Sequence, residues 1–317
     1  MKIIFMGSPD FATPPLQQIL NSKHEVISVY SQPPRPSGRG QKVNPTPVHK
    51  LAEENNISVF TPEKLTHEEV DNILEQQPDL IVVVAYGLIL PKKLVETITC
   101  INLHPSALPK WRGAAPMNYP ILNGEKQTDI CIMQMEKGLD SGPVYLRKNY
   151  EIGEDETAGK LHDRFKHEGA ELVLNVLNQW DTYKNNAIDQ EGESTYAHKF
   201  KPTDLPALRK IYFNKTAVEI HNQVRGLSPW PGATFMHNNH EIKALESTLK
   251  IKGEPNRKLS EKQPKTGEIV HIDPETVWVQ AKNDIIGLKT LQRSGKRAMP
   301  VSEFIKGYNM QVGEVLN

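Results

Sequence analysis

Asp79-Leu80-Ile81-Val82-Val83-Val84-Ala85-Tyr86 is the stretch whose reading decides the fold. From Leu80 to Ala85 every residue is apolar, with none of the alternation expected of a strand that faces water on one side. The run is far too short for the roughly 20 apolar residues that span a bilayer. It reads as a strand buried on both faces, and so as the central strand of a mostly parallel sheet covered by helices. Working outward, Lys2 to Gly7, Glu25 to Ser31, Ile57 to Phe60, Cys100 to His104 and Asp129 to Met135 also read as strands. Leu16 to Asn21, Val48 to Asn55, His67 to Gln76 and Pro91 to Thr97 read as the helices between them. A longer helix is predicted over Thr157 to Trp180, where Leu161, Phe165, Leu172, Val176 and Leu177 fall near helical spacing. Periodicity then dissolves between Asp181 and Asp204. Beyond it, a helix near Thr216 to Arg225 precedes five strand-like segments between Ala233 and Gln292, the pattern of a small β-barrel, of which the OB-like barrel is one candidate. The expected fold class is α/β, a domain with a mostly parallel sheet followed by a smaller β-barrel domain. The expected division is 1–190, a linker over 191–204, and 205–317.

The 317 residues carry 38 Lys plus Arg and 38 Asp plus Glu, so bulk charge demands no polyanionic partner. The distribution is more informative. After Pro202 there are 17 basic and 12 acidic residues, which points the second domain toward an anion. Two cysteines, Cys100 and Cys131, cannot build a disulfide framework or a four-thiolate zinc site, and their apolar surroundings read as core. No metal is expected. The amino terminus lacks the apolar length of a signal h-region, so a cytoplasmic protein, with nothing requiring more than a monomer, is the expectation.

Three local patterns carry chemistry. Gly7-Ser8-Pro9-Asp10-Phe11 turns the first strand into a helix, but the further glycines of a dinucleotide fingerprint are absent, and Ser31-Gln32 stands where a ribose-binding carboxylate belongs. That argues against a nicotinamide enzyme. Gln32 to Pro47 is a turn-rich basic loop in which Arg35, Arg39 and Lys42 meet no acidic residue between Glu25 and Glu53, a composition that attracts phosphate. The densest signal is Asn102-Leu103-His104-Pro105-Ser106, running on to Pro116. Asn102 and His104 share one face of a strand at the carboxyl edge of the sheet, where open α/β sheets place ligands. Gly138-Leu139-Asp140-Ser141-Gly142 supplies a carboxylate in a glycine-flanked turn. An amide, an imidazole and a carboxylate meeting at one point suit acyl transfer.

Taken together, these residues resemble the methionyl-tRNA formyltransferase family. The resemblance runs through Phe5-Met6-Gly7-Ser8-Pro9-Asp10-Phe11-Ala12, the 32–40 loop, Val83 to Pro91, Asn102 to Pro116, Ile132 to Met135 and Gly138 to Gly142. In the second half it covers Thr195-Tyr196-Ala197, Arg225 to Gly232 and Gly295 to Met299. It implies a Rossmann-like formyltransferase domain followed by an OB-like second domain, and formyl transfer from 10-formyltetrahydrofolate, a co-substrate, to the α-amine of methionyl-initiator tRNA. Asn102, His104 and Asp140 would be the catalytic set, with Asn102 and a protonated His104 holding the oxyanion and Asp140 raising the His104 pKa and relaying protons. Ser106, Ala107, Leu108 and Pro109 would line the folate site, and Arg35, Arg39 and Lys42 would reach the tRNA acceptor end. Pro34, Pro105 and Tyr212-Phe213 depart from residues common in the family. Two other enzymes share this chemistry: one formylating a small amine, the other hydrolysing formyl-folate. A catalytically silent RNA-binding protein is the reading from outside enzymology. The basic loop and second domain favour a nucleic-acid acceptor, and the intact Asn, His and Asp favour catalysis.

Overall fold

The apolar run at Leu80–Val84 is the fourth of seven strands, buried at all five positions. The computed structural model describes residues 1–37, 40, 42–250 and 264–317. They form two units, one of residues Met1–Pro116, Thr128–Tyr150 and His162–Ala197, the other of Met117–Gln127, Glu151–Leu161 and His198–Asn317. Among the described residues no helix is long and apolar enough to cross a membrane.

The strands of the first half are, in chain order, β1 (Lys2–Gly7), β2 (Glu25–Tyr30), β3 (Arg35–Ser37), β4 (Lys42–Asn44), β5 (Val59–Phe60) and β6 (Leu80–Val84). They continue with β7 (Cys100–His104), β8 (Arg112–Gly113), β9 (Gln127–Gln134), β10 (Val144–Glu151) and β11 (Tyr196–Ala197). Helices α1 (Thr13–Leu20), α2 (Pro47–Glu54), α3 (His67–Glu75), α4 (Lys92–Thr97), α5 (Asn118–Leu122), α6 (Ala158–Asn178) and α7 (Trp180–Tyr183) alternate with them. The main sheet has the order β10-β9-β7-β6-β1-β2-β5. From β5 to β7 its neighbours are parallel, and β9 joins antiparallel to β7. Parallel strands need covered faces. One cover is the cluster of Val70 and Ile73 from α3 and Leu94 from α4 against Ile4, Met6, Ile81 and Val83. On α6, Gly169 lets the helix approach β7, because a Cβ there would lie 2.8 Å from Leu103 Cδ2.

Three segments differ from expectation. The supposed loop between Gln32 and Pro47 contains an antiparallel hairpin, β3 paired with β4, so its charges stand on short strands. Arg39 lies outside the described residues. β10 has no counterpart in the sequence reading. It is an edge strand whose middle, Arg147-Lys148-Asn149, is solvent-facing, which removes the continuous apolar run that betrayed β6. Within the 191–204 stretch, Tyr196–Ala197 pairs in parallel with Arg112–Gly113.

The second unit contains α8 (Leu205–Arg209), α9 (Ala217–Gly226), β12 (Ala233–His237), β13 (His240–Thr248), β14 (Ile269–Ile272), β15 (Val277–Gln280), β16 (Ile285–Arg293), β17 (Met299–Pro300) and α10 (Val301–Gly307). The sheet order is β12-β13-β16-β15-β14, with β17 on β16 and every pairing antiparallel. Residues 313–317 bridge its two edges. Asn317 exchanges backbone hydrogen bonds with Met236 of β12, while Glu314 accepts from Ile269 of β14 and Leu316 donates to Gly267 beside it. The sheet is thereby closed around Val224, Phe235, Ile242, Val277, Ile286 and Leu316, the barrel that the OB-like pattern predicts.

Candidate active site

β7 delivers the first two polar side chains. Alternation sends Leu103 toward Gly169 of α6 and sets Asn102 and His104 together on the opposite face. Both are buried, Asn102 at 9% exposure and His104 at 3%. Across the antiparallel pairing they stand opposite Met133 and Cys131 of β9. Both cysteines are core, as their setting in the sequence predicts, and burial pushes each thiol up to about 12.

After His104 the chain doubles back. Ser106 Oγ donates to the Lys110 carbonyl at 2.8 Å, and Leu108 is buried against Cys131, Met133 and Val144. Of the four residues expected to line a folate, only Ala107 and Pro109 are half-buried rather than buried. The turn places the Trp111 carbonyl 3.1 Å from His104 Nε2. Two residues on, the Gly113 N–H donates to Asp140 Oδ2 at 2.8 Å, and that same oxygen lies 3.6 Å from His104 Nδ1. Gly113 has φ of 116°, and a Cβ there would sit 2.9 Å from the Ala197 carbonyl oxygen. Trp111 and Asp140 are themselves left-handed, with φ of 63° and 47°, a conformation non-glycine residues adopt at a cost and often at working sites.

The protons follow from this geometry. A carbonyl only accepts, so His104 Nε2 carries a hydrogen toward Trp111, and Nδ1 is the edge that faces the carboxylate. Burial is the dominant influence on the ring and lowers its pKa below the ordinary histidine value. Asp140 and the Trp111 carbonyl pull upward against it, and Arg112 adds to the lowering. Desolvation and the Asp140 carboxylate thus act on the ring in opposite directions, and the carboxylate is placed to meet a proton arriving at Nδ1. The Nε2–H rests on the Trp111 carbonyl, while Nδ1 faces Asp140 across a distance longer than a hydrogen bond.

The structure thus brings His104 and Asp140 together and sets Asn102 beside His104 on the same strand face. Arg35 and Lys42 are exposed at opposite ends of the β3–β4 hairpin, with Arg35 donating to Gln32 Oε1 at 3.3 Å. Sequence reading missed Arg112 and Gln190, which hold the Asp140 turn. No local signal marks either, because their partners lie far along the chain.

Comparison with known proteins agrees with this architecture. Residues 1–177 match the formyl transferase family model, and residues 206–309 match the formyl transferase C-terminal domain. The methionyl-tRNA formyltransferase of Alkaliphilus oremlandii is 42% identical over 100% of this chain and 99% of its own. That of Parvibaculum lavamentivorans is 41% identical over 99% of each. Among solved structures, the Helicobacter canadensis N-formyltransferase in complex with folinic acid and dTDP-3-aminofucose superposes with a TM-score of 0.67 at 23% identity, covering 92% of this chain and 99% of that one. The methionyl-tRNA formyltransferase from Clostridium thermocellum gives 0.55 at 20% identity over 79% of this chain and 94% of its own. At these identities the structural matches speak to fold.

Proposed function

Since the chain belongs to the methionyl-tRNA formyltransferase family, we propose that it transfers the formyl group of 10-formyltetrahydrofolate to the α-amine of methionine esterified to initiator tRNA. The observation that carries the chemistry is the meeting of His104 and Asp140, remote in sequence, at 3.6 Å in a buried site. A neutral imidazole whose Nε2–H already rests on a carbonyl has one edge left to receive a proton. A proton arriving at Nδ1 points at Asp140. Charge then appears on the ring only when a carboxylate is there to meet it.

The uncharged α-amine attacks the formyl carbon, and the new C–N bond pushes an electron pair onto the formyl oxygen. The Asn102 amide donates to that oxygen; removing such a donor typically costs about 3 kcal/mol of transition-state stabilisation. The His104–Asp140 pair takes the proton shed by the attacking nitrogen and returns it to N10 of the folate as the bond from formyl carbon to N10 breaks. The Ser106–Pro109 turn would border the folate through its backbone and through Ala107 and Pro109, since the side chains of Ser106 and Leu108 are committed inward. We assign the chemistry to residues 1–190 and tRNA binding to 205–317, joined by 191–204. The exposed cations Arg35 and Lys42, with Arg39 between them in sequence, would add contacts to the acceptor end.

The deciding experiment incubates the purified chain and 10-formyltetrahydrofolate with methionyl-initiator tRNA, uncharged tRNA, an amino-sugar nucleotide or buffer alone. Formylmethionyl-tRNA formed far faster than any other product is the expected result. Equal or faster formylation of the small amine, or release of formate without acceptor, would overturn the assignment of substrate.

A further inference from the structure

Asp140 sits in a turn whose conformation is unfavourable for it, with φ of 47°. Its carboxylate has to stay within reach of His104, so something must hold the turn. One side chain grips it by the backbone. Gln190 Nε2 donates to the carbonyl of Asp140 at 2.9 Å and to that of Gly142 at 2.8 Å. The oxygen of the same amide accepts from Arg112 Nε at 3.1 Å and from Arg112 Nη2 at 2.7 Å. Arg112 lies between the two residues that fix the pair: Trp111, whose carbonyl faces His104 Nε2, and Gly113, whose N–H holds Asp140 Oδ2. A single amide thus ties the carboxylate's turn to the strand that orients the imidazole. Its two N–H groups and its oxygen are all engaged, a pattern only a neutral carboxamide completes. Glutamate at 190 would keep the Arg112 contact and set carboxylate oxygen against two carbonyls.

We propose that Gln190 is a positioning residue for formyl transfer, fixing where Asp140 stands relative to His104. This rests on the catalytic reading of Asp140. The carboxylate needs such control because His104 is buried and its Asp140 distance, 3.6 Å, is already longer than a hydrogen bond. A shift of about 1 Å at a working group can cost on the order of a hundredfold in rate.

The test uses the full chain with 10-formyltetrahydrofolate and methionyl-initiator tRNA, comparing Gln190→Ala, Gln190→Glu, Asp140→Asn and the double variant Asp140→Asn/Gln190→Ala. Gln190→Ala and Gln190→Glu are expected to lower kcat by roughly tenfold to a hundredfold, with KM for both substrates nearly unchanged. A KM that stays near wild type for both substrates in Gln190→Glu, which keeps the arginine contact, separates a lowered kcat from a loss of fold. The acid limb of kcat against pH should move toward that of Asp140→Asn, and the double variant should be no slower than Asp140→Asn alone. Independent, multiplying losses in the double variant, or a change confined to KM, would overturn the inference while leaving Asp140 catalytic. Wild-type turnover by Asp140→Asn would overturn the reading of Asp140 and the inference with it.

Discussion

His104 shows how one residue's surroundings set its chemistry. Burial lowers its pKa below the usual 6.5, and Asp140 works in the other direction. A base must be unprotonated to act, so activity is present above the folded-state pKa and lost as pH falls through it. The acid limb of kcat is expected below pH 6.5. Asp140→Asn removes the upward pull, so the same limb should move to still lower pH; a profile measured from pH 4.5 to 8 that shifts upward instead would contradict the pairing. His104→Ala should cost about 100-fold to 10,000-fold in turnover, the span of general-base contributions, with folate binding still detectable by titration. Part of this site is legible in sequence. Asn102 and His104 lie two apart in a strand pattern, so their common face follows from the pleat. The downward push on the His104 pKa does not follow, because it depends on how tightly the surrounding segments bury the ring.

Elements are most legible in the sequence where the pattern is local. β1 and β7 match the predicted spans residue for residue, and β6 occupies the centre of the sheet. Helix α9 begins where the sequence places it, and its start is a capping box: Thr216 accepts from the Glu219 N–H, while the Glu219 carboxylate accepts from the Thr216 N–H at 2.8 Å. Thr216→Ala should therefore destabilise the second unit by about 1 kcal/mol, measured as a lower urea midpoint at constant m-value. The β3–β4 hairpin makes a different prediction. Arg35→Ala/Lys42→Ala should weaken tRNA binding and reduce the slope of log affinity against log salt by about 1 to 2; an unchanged slope would detach this hairpin from the RNA. β10 and β11 leave no clear trace in the sequence for a common reason. Edge strands and two-residue pairings expose much of their length and carry too few alternations to stand out from a loop.

At the scale of the molecule, closure of the second unit depends on its last residues. Leu316 is 2% exposed within the barrel core, and Glu314 accepts a backbone hydrogen bond from β14 while its side chain lies 3.1 Å from the buried His237 Nε2. Leu316→Ala should cost about 2 to 4 kcal/mol, read as a fall in the denaturation midpoint followed by tryptophan fluorescence. An unaltered midpoint would mean that the bridge between β12 and β14 is dispensable. The sequence by itself determined the two-part α/β and β architecture, the central strand, the Asn102–His104 pair and the family, because each is written in short-range periodicity or in ordered motifs. Tertiary structure alone decided that Asp140 faces His104, that Gln190 and Arg112 hold the turn, and that burial works against the charge on the imidazole. Those outcomes depend on distances between segments far apart in the chain and on how much water is excluded where they meet, and neither quantity has a local signature in the order of residues.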